Sequence, residues 1–155
     1  MCPYGRYQYQ LRCIVQNTSL TTQRHPHMTT HSHEAIEQLA DVRRSVADRI
    51  LWLSTAMIHR ANNVRPNTDG MKVGGHQSSC ASSIHILSSL FFETLGADDR
   101  IAIKPHASPV FHAIQYLLGN LDEPYLEKFR AFGGLQAYPS RTKDPETVIF
   151  LPAQW

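Results

Sequence analysis

Apolar residues recur three and four apart from Glu34 to about Asn62. Ile36, Leu39, Ala40, Val46, Ala47, Ile50, Leu53, Met57 and Ile58 carry the pattern. That period marks one face of an α-helix. Arg43, Arg44, Asp48 and Arg49 fill the opposite face. Ser32 is the expected N-cap, with Glu34 to Glu37 in the first turn, where acids meet the positive end of the helix dipole. Asn62-Asn63 and Arg65-Pro66-Asn67 end the helix. Trp52 is expected in the core or at an interface.

A turn-rich linker over 66–75 closes on Gly74-Gly75. A second helix is expected from about Gln77 to Leu95. Ala81, Ile84, Leu87, Phe91 and Leu95 form its stripe, and Ile86, Leu90 and Phe92 broaden it. Such broad apolarity predicts a well-buried helix. The serines Ser78, Ser79, Ser82, Ser83, Ser88 and Ser89 point to close packing or a polar cofactor nearby. Gly96 stops the helix. His85, between Ile84 and Ile86, reads as a partnered core or interface residue.

Arg100 to Lys104 reads as a short strand ended by Pro105. Ser108 is expected to cap the next helix, with Pro109 at its first position. That helix runs through Phe111, Ala113, Ile114, Leu117 and Leu118 and stops near Gly119-Asn120. His112 falls in its first turn, where it could extend a site, face solvent or be structural. Leu121-Asp122-Glu123-Pro124 opens another helix. Tyr125, Leu126, Phe129 and Phe132 form its apolar side, and Gly133-Gly134 ends it. A loop over 135–141 and an apolar tail, Val148 to Pro152, complete the chain. No internal repeat is visible.

Composition narrows the class. At 155 residues, 42% hydrophobic and 18% charged, the chain is long enough for one globular domain with a core. A net charge of +2, with no basic stripe, does not point to nucleic acid or an anionic membrane. No apolar run approaches the roughly 20 residues that span a bilayer. Cys2, Cys13 and Cys80 have no metal-ligand spacing and cannot all pair, so a reducing cytoplasm is the simplest reading.

Residues 1–33 differ from the rest. They carry His25, His27, His31 and His33, with no cysteine or acid between His25 and His33. Such a cluster could bind a metal. The expected reading is a disordered or artefactual arm that holds none, with Met28 as an alternative start.

Two stretches carry the candidate chemistry: Gly74-Gly75-His76-Gln77-Ser78-Ser79 and Lys104-Pro105-His106-Ala107-Ser108-Pro109. Each places a histidine where a helix should begin. Free N–H groups and the helix dipole favour anions there. An imidazole can donate to phosphate or move a proton. Gly74 and Gly75 let the backbone approach closely.

Together with Phe129-Arg130 and Tyr138-Pro139-Ser140, these stretches resemble the amino-terminal part of the homodimeric pyruvate dehydrogenase (acetyl-transferring) family, which is transketolase-like and thiamine-diphosphate-dependent. The resemblance covers roughly residues 38–148. It implies an α/β fold: a partial thiamine-diphosphate-binding (transketolase amino-terminal) domain, helix-rich with one or two parallel strands. It implies cofactor contacts at His76, Ser79 and His106, and a catalytic role for His106 beside the reacting substrate. It also implies thiamine diphosphate with Mg²⁺, a homodimer partner and a lipoyl-bearing acetyltransferase. Lys104-Pro105 stands where the family has Gln-Gly. The family's Gly-Asp-Gly metal motif is absent from these 155 residues, and no metal ligand is assigned. The expectation is a truncated domain over 34–148 that is inactive alone, with 149–155 an aberrant tail. Deleting one G from codons for Val-Asp-Phe-Ser-Thr-Gly-Ser-Val would produce Val148 to Trp155, so a frameshift is expected. Transketolase is the alternative within the class. A non-catalytic interaction module, with structural histidines, is the alternative outside it.

Overall fold

The computed structural model describes residues 30–145, apart from Asn67, Ala97, Asp98, Arg100 and Arg141. The expectations for Cys2, Cys13, His25, His27, Met28 and the tail from Val148 lie outside the described residues.

The long amphipathic pattern forms α1, Thr30–His59. Its backbone is already helical at Thr30, so Ser32 lies inside the helix and is not its N-cap. Residues 30–33, expected in the arm, therefore belong to α1. No glycine or proline between Thr30 and His33 breaks the helix there. Only the second half of α1 is deeply buried. Ala47, Ile50, Leu53, Met57 and Ile58 enter the core, whereas Ile36 and Val42 are exposed. Trp52 is 63% exposed beneath the Arg49 guanidinium, which removes it from the core.

The helix ends in a π-helical turn, Arg60–Val64, closed by the Arg65 N–H on the Arg60 carbonyl at 2.9 Å. This wider turn carries Asn62 toward the Gly74-Gly75 segment. Single π turns recur at functional sites for this kind of re-aiming.

The expected helix over Gln77–Leu95 is instead three pieces. They are α2, Gln77–Ala81, α3, Ile84–Ser89, and a second π turn, Leu90–Thr94. The break falls on two serines. Ser82 Oγ donates to the Ser79 carbonyl and Ser83 Oγ to the Cys80 carbonyl, each at 2.9 Å. Hydroxyls that bond nearby carbonyls compete with the helical ladder. Nor is the stretch buried all round. Ile84, Leu87 and Phe91 are core, but Ile86 is 70% exposed and His85 faces solvent, so the expected core role of His85 does not hold.

Helix α4, Ser108–Leu117, lies at the centre and packs most extensively on α1. Every residue from Ser108 to Gln115 is buried. Phe111, Val110 and Ile114 face the α1 and α3 core side chains, with Phe91 and Phe111 rings 5.8 Å apart. Fully burying a side chain of this size contributes roughly 1.5–3 kcal/mol. Helix α5, Glu123–Glu127, is one short turn. The expected extension to Phe132 fails because Arg130 adopts a left-handed φ of 53° and its N–H pairs with the Leu135 carbonyl at 2.8 Å. Phe129 and Leu135 are buried at that crossing, and Phe132 is fully exposed.

No strand occurs among the described residues, so the expected strand over Arg100–Lys104 is corrected. Ile101 to Lys104 has no ladder partner, though Ile103 is buried. A short apolar run specifies that the segment can be buried. A strand also needs a neighbour to accept its backbone bonds. The described structure is helix-rich, and the α/β class remains an implication of the resemblance.

Among the described residues no helix is long and apolar enough to cross a membrane.

Candidate functional site

The two histidine stretches meet. His76 and His106 line one cavity of about 250 Å³ together with Gly74, Gly75, Cys80, Pro105, Pro109, Arg130 and Ala137. Both imidazoles are exposed at its rim. Ser79 is half-buried on α2 and does not line this cavity. Its carbonyl accepts from Ser82 instead.

The first junction is held from outside. Asn62 Nδ2 donates to the Gly75 carbonyl at 3.0 Å, and the Gly74 N–H donates to Asn62 Oδ1 at 2.6 Å. One side chain thus fixes both glycines. Gly74 is so close to α1 that a Cβ would sit 2.7 Å from the Ile58 carbonyl oxygen. Gly75 has φ +89°, and a Cβ there would lie 3.2 Å from Arg130 Nη1. These two positions require glycine for different reasons, close approach and left-handed backbone.

The second junction is a local turn. The Ala107 N–H donates to the Lys104 carbonyl at 3.0 Å. Ser108 Oγ donates to the Pro105 carbonyl at 2.9 Å. Ala107, not Ser108, stands at the N-cap of α4, so the expected cap shifts by one residue. The Ser108 hydroxyl closes the turn and does not cap the helix. Pro109 in the first helical turn loses no bond, because its missing N–H would have had no helical partner.

Three further residues complete the site. Cys80 is buried and free, and its Sγ donates to the His106 carbonyl at 2.8 Å. Burial pushes its thiol up to about 11, with the Arg130 charge opposing, so Cys80 is a thiol and not a nucleophilic thiolate at neutral pH. Arg130 donates from Nη1 to the Val73 carbonyl and from Nη2 to the Pro105 carbonyl, each at 2.8 Å. Its guanidinium carbon lies 4.9 Å above the Phe129 ring. Asp144, buried, accepts the Gln136 and Ser140 N–H groups at 2.7 and 2.6 Å and so shapes the loop that brings Ala137 to the cavity. Burial raises its carboxyl despite those two bonds.

His112 is not part of this rim. It is fully buried, between the Phe111 and Phe129 rings at 5.5 and 5.9 Å. Neither ring nitrogen makes a hydrogen bond of good geometry, though the Gln136 backbone lies beside the ring. Burial lowers it to about 4, the Gln136 backbone opposing and the Arg130 charge adding to the shift. Of its three expected placements, the structural one holds.

Cys80 and Asn62 carried no sequence signal for the site. Cys80 reads as a small apolar residue and Asn62 as a helix terminator. Phe129-Arg130 stood in the motif set, but nothing in the sequence said that its guanidinium spans both junctions.

The side chains at the rim left to meet a ligand are the two imidazoles, since the Arg130 fork is taken by the Val73 and Pro105 carbonyls. Imidazoles suit an anion, such as a phosphate or an α-keto carboxylate. The site offers a divalent cation no carboxylate, and among the described residues no three His, Cys, Asp or Glu side chains come together to hold a metal.

No family model matches the chain. Curated relatives do. The chain is 37% identical over 110 residues to the pyruvate dehydrogenase E1 components of Mycolicibacterium smegmatis and Mycobacterium tuberculosis, matching 64% of this chain and 11% of each relative. It is 32% identical over 105 residues to that of Pseudomonas aeruginosa, matching 62% of this chain and 11% of the relative. The chain thus spans about a ninth of the length of these relatives.

Proposed function

We propose that this chain supplies one wall of a thiamine-diphosphate pocket in an enzyme of the pyruvate dehydrogenase E1 kind. The observation that carries the reading is the convergence of His76 and His106 on one cavity braced by Arg130. The similarity to E1 components supports it.

Thiamine diphosphate, when bound, supplies a nucleophilic carbon and an electron sink for decarboxylating an α-keto acid. The chain's own residues orient and protonate. His106 donates a hydrogen bond to the keto oxygen of pyruvate and passes a proton to or from it. His76 donates to the cofactor's anionic end. Ser79 contributes from α2 only by its position one turn beyond His76. Cys80 keeps the His106 backbone in place through the Sγ bond to its carbonyl. Magnesium finds no carboxylate among these site residues, and the roles of His76 and His106 do not depend on it.

The acyl acceptor by this reading is a lipoyl-bearing acetyltransferase, and the dimer partner is a second copy. The chain lacks any Gly-Asp-Gly, and alone it is expected to turn over no pyruvate.

A chimera tests the reading. The homologous segment of the Mycolicibacterium smegmatis relative is replaced by residues 34–145 of this chain, and pyruvate decarboxylation is measured. Activity is expected, and His106→Ala should lower kcat by about 10²–10⁴, the usual contribution of a positioned acid or base. A chimera that turns over pyruvate equally well with His106→Ala and with His76→Ala overturns the proposal.

A further inference from the structure

Arg130 is half-buried and at some remove in sequence from both histidines, yet it touches the backbone beside each. Nη1 reaches the Val73 carbonyl, three residues before His76, and Nη2 reaches the Pro105 carbonyl, adjacent to His106. The planar fork fixes the angle between those two bonds, because both nitrogens belong to one rigid group. Phe129 stacks against the fork, and Gly75 leaves room for it, since a Cβ there would lie 3.2 Å from Nη1. The backbone of Arg130 is itself left-handed, a conformation non-glycine residues seldom take. Such a conformation persists where surrounding contacts over-determine it.

Asn62 serves one junction, bonding Gly74 and Gly75. Cys80 touches both, its N–H on the His76 carbonyl at 3.4 Å and its Sγ on the His106 carbonyl at 2.8 Å, but through a backbone bond and a thiol that turns freely. Arg130 bonds to both from one rigid plane.

We infer that Arg130 is a positioning residue that locks the two histidine junctions at one separation, so that His76 and His106 act as a pair. The inference rests on the pocket proposed above but concerns its rigidity. A lysine cannot replace the fork, since one ammonium nitrogen cannot reproduce two bonds from two fixed nitrogens.

A second arginine provides the control. Arg65 also braces backbone, donating from Nη2 to the Phe129 carbonyl at 2.6 Å and to the Glu127 carbonyl at 3.4 Å. It does not line the cavity.

The test uses the full chain with ¹³C-labelled histidine, the His76 and His106 ring resonances being assigned by His76→Gln and His106→Gln. Arg130→Lys should shift both resonances, and Arg65→Lys should leave both unmoved. A role in stability alone predicts a lower urea midpoint for both variants with both resonances in place. Gly75→Ala supplies an independent arm if Arg130→Lys does not fold. Its Cβ presses on Nη1, so the His106 resonance should move although the substitution lies in the other junction. An unmoved His106 in Gly75→Ala, or equal shifts from Arg65→Lys, overturns the inference. Because no cofactor enters this measurement, its failure leaves the chimera result standing, and the converse also holds.

Discussion

The two histidine junctions reach the same cavity by opposite means. The Gly74-Gly75 junction is built from missing side chains and borrowed partners. A Cβ on Gly74 would meet α1 backbone, Gly75 needs φ +89°, and Asn62 supplies the hydrogen bonds from another element. The Pro105-His106 junction has no positive φ and closes on itself through the Lys104–Ala107 and Pro105–Ser108 bonds. One therefore depends on tertiary contacts to exist, whereas the other is local turn chemistry that tertiary contacts only anchor. A site assembled this way has one self-shaped edge and one edge shaped by its neighbours.

The largest expected effect lies behind the self-shaped edge, in α4. The fold holds His112 neutral, at about 4 against an ordinary 6.5. A histidine lowered by the fold leaves stability complete above about pH 6.5 and removes it as pH falls toward about 4. The shift corresponds to about 3 kcal/mol. Urea unfolding at pH 7 and pH 4.5 measures it, with His112→Phe as the comparison. Asp144 works in the opposite sense, since its raised carboxyl takes up a proton more readily in the fold. The wild-type chain should lose more stability on acidification than His112→Phe. Equal losses would mean that α4 is not the acid-sensitive element.

Next comes the borrowed edge. Gly74→Ala should cost about 2 kcal/mol, as overpacking against backbone does, because the Ile58 carbonyl cannot swing aside as a side-chain end would. The urea midpoint measures the cost. The smallest effect belongs to the self-shaped edge. Ser108→Ala should cost about 1 kcal/mol, one ordinary hydrogen bond, because the Pro105 carbonyl still accepts from Arg130. If Ser108→Ala costs more than Gly74→Ala, the contrast between the junctions is wrong.

Particular residues show how far the chain could be read without coordinates. The period from Ile36 to Ile58 located α1, and Gly-Gly-His with Pro-His located both junctions. Ser108 reads as an N-cap from sequence yet stands one position inside the helix, because its hydroxyl can either cap a helix or close the preceding turn. The Gln77–Leu95 stripe predicts one helix, because apolar spacing carries no record of Ser82 and Ser83 competing for carbonyls. The short apolar run Ile101 to Ile103 reads as a strand from sequence, because such a run shows that the segment can be buried and is silent on whether a neighbour pairs.

By itself the sequence determined the amphipathic helices, the glycines that admit close backbone approach and the two histidines at helix entrances. These follow from local rules of periodicity, backbone freedom and turn chemistry. Only the tertiary structure decided that His76 and His106 share a cavity, that Ser79 stands apart from it, that His112 is fully buried between two aromatic rings, and that Arg130 ties the junctions together. Those outcomes depend on which distant backbone carbonyls come within reach of one guanidinium, a distance that spacing along the chain does not specify.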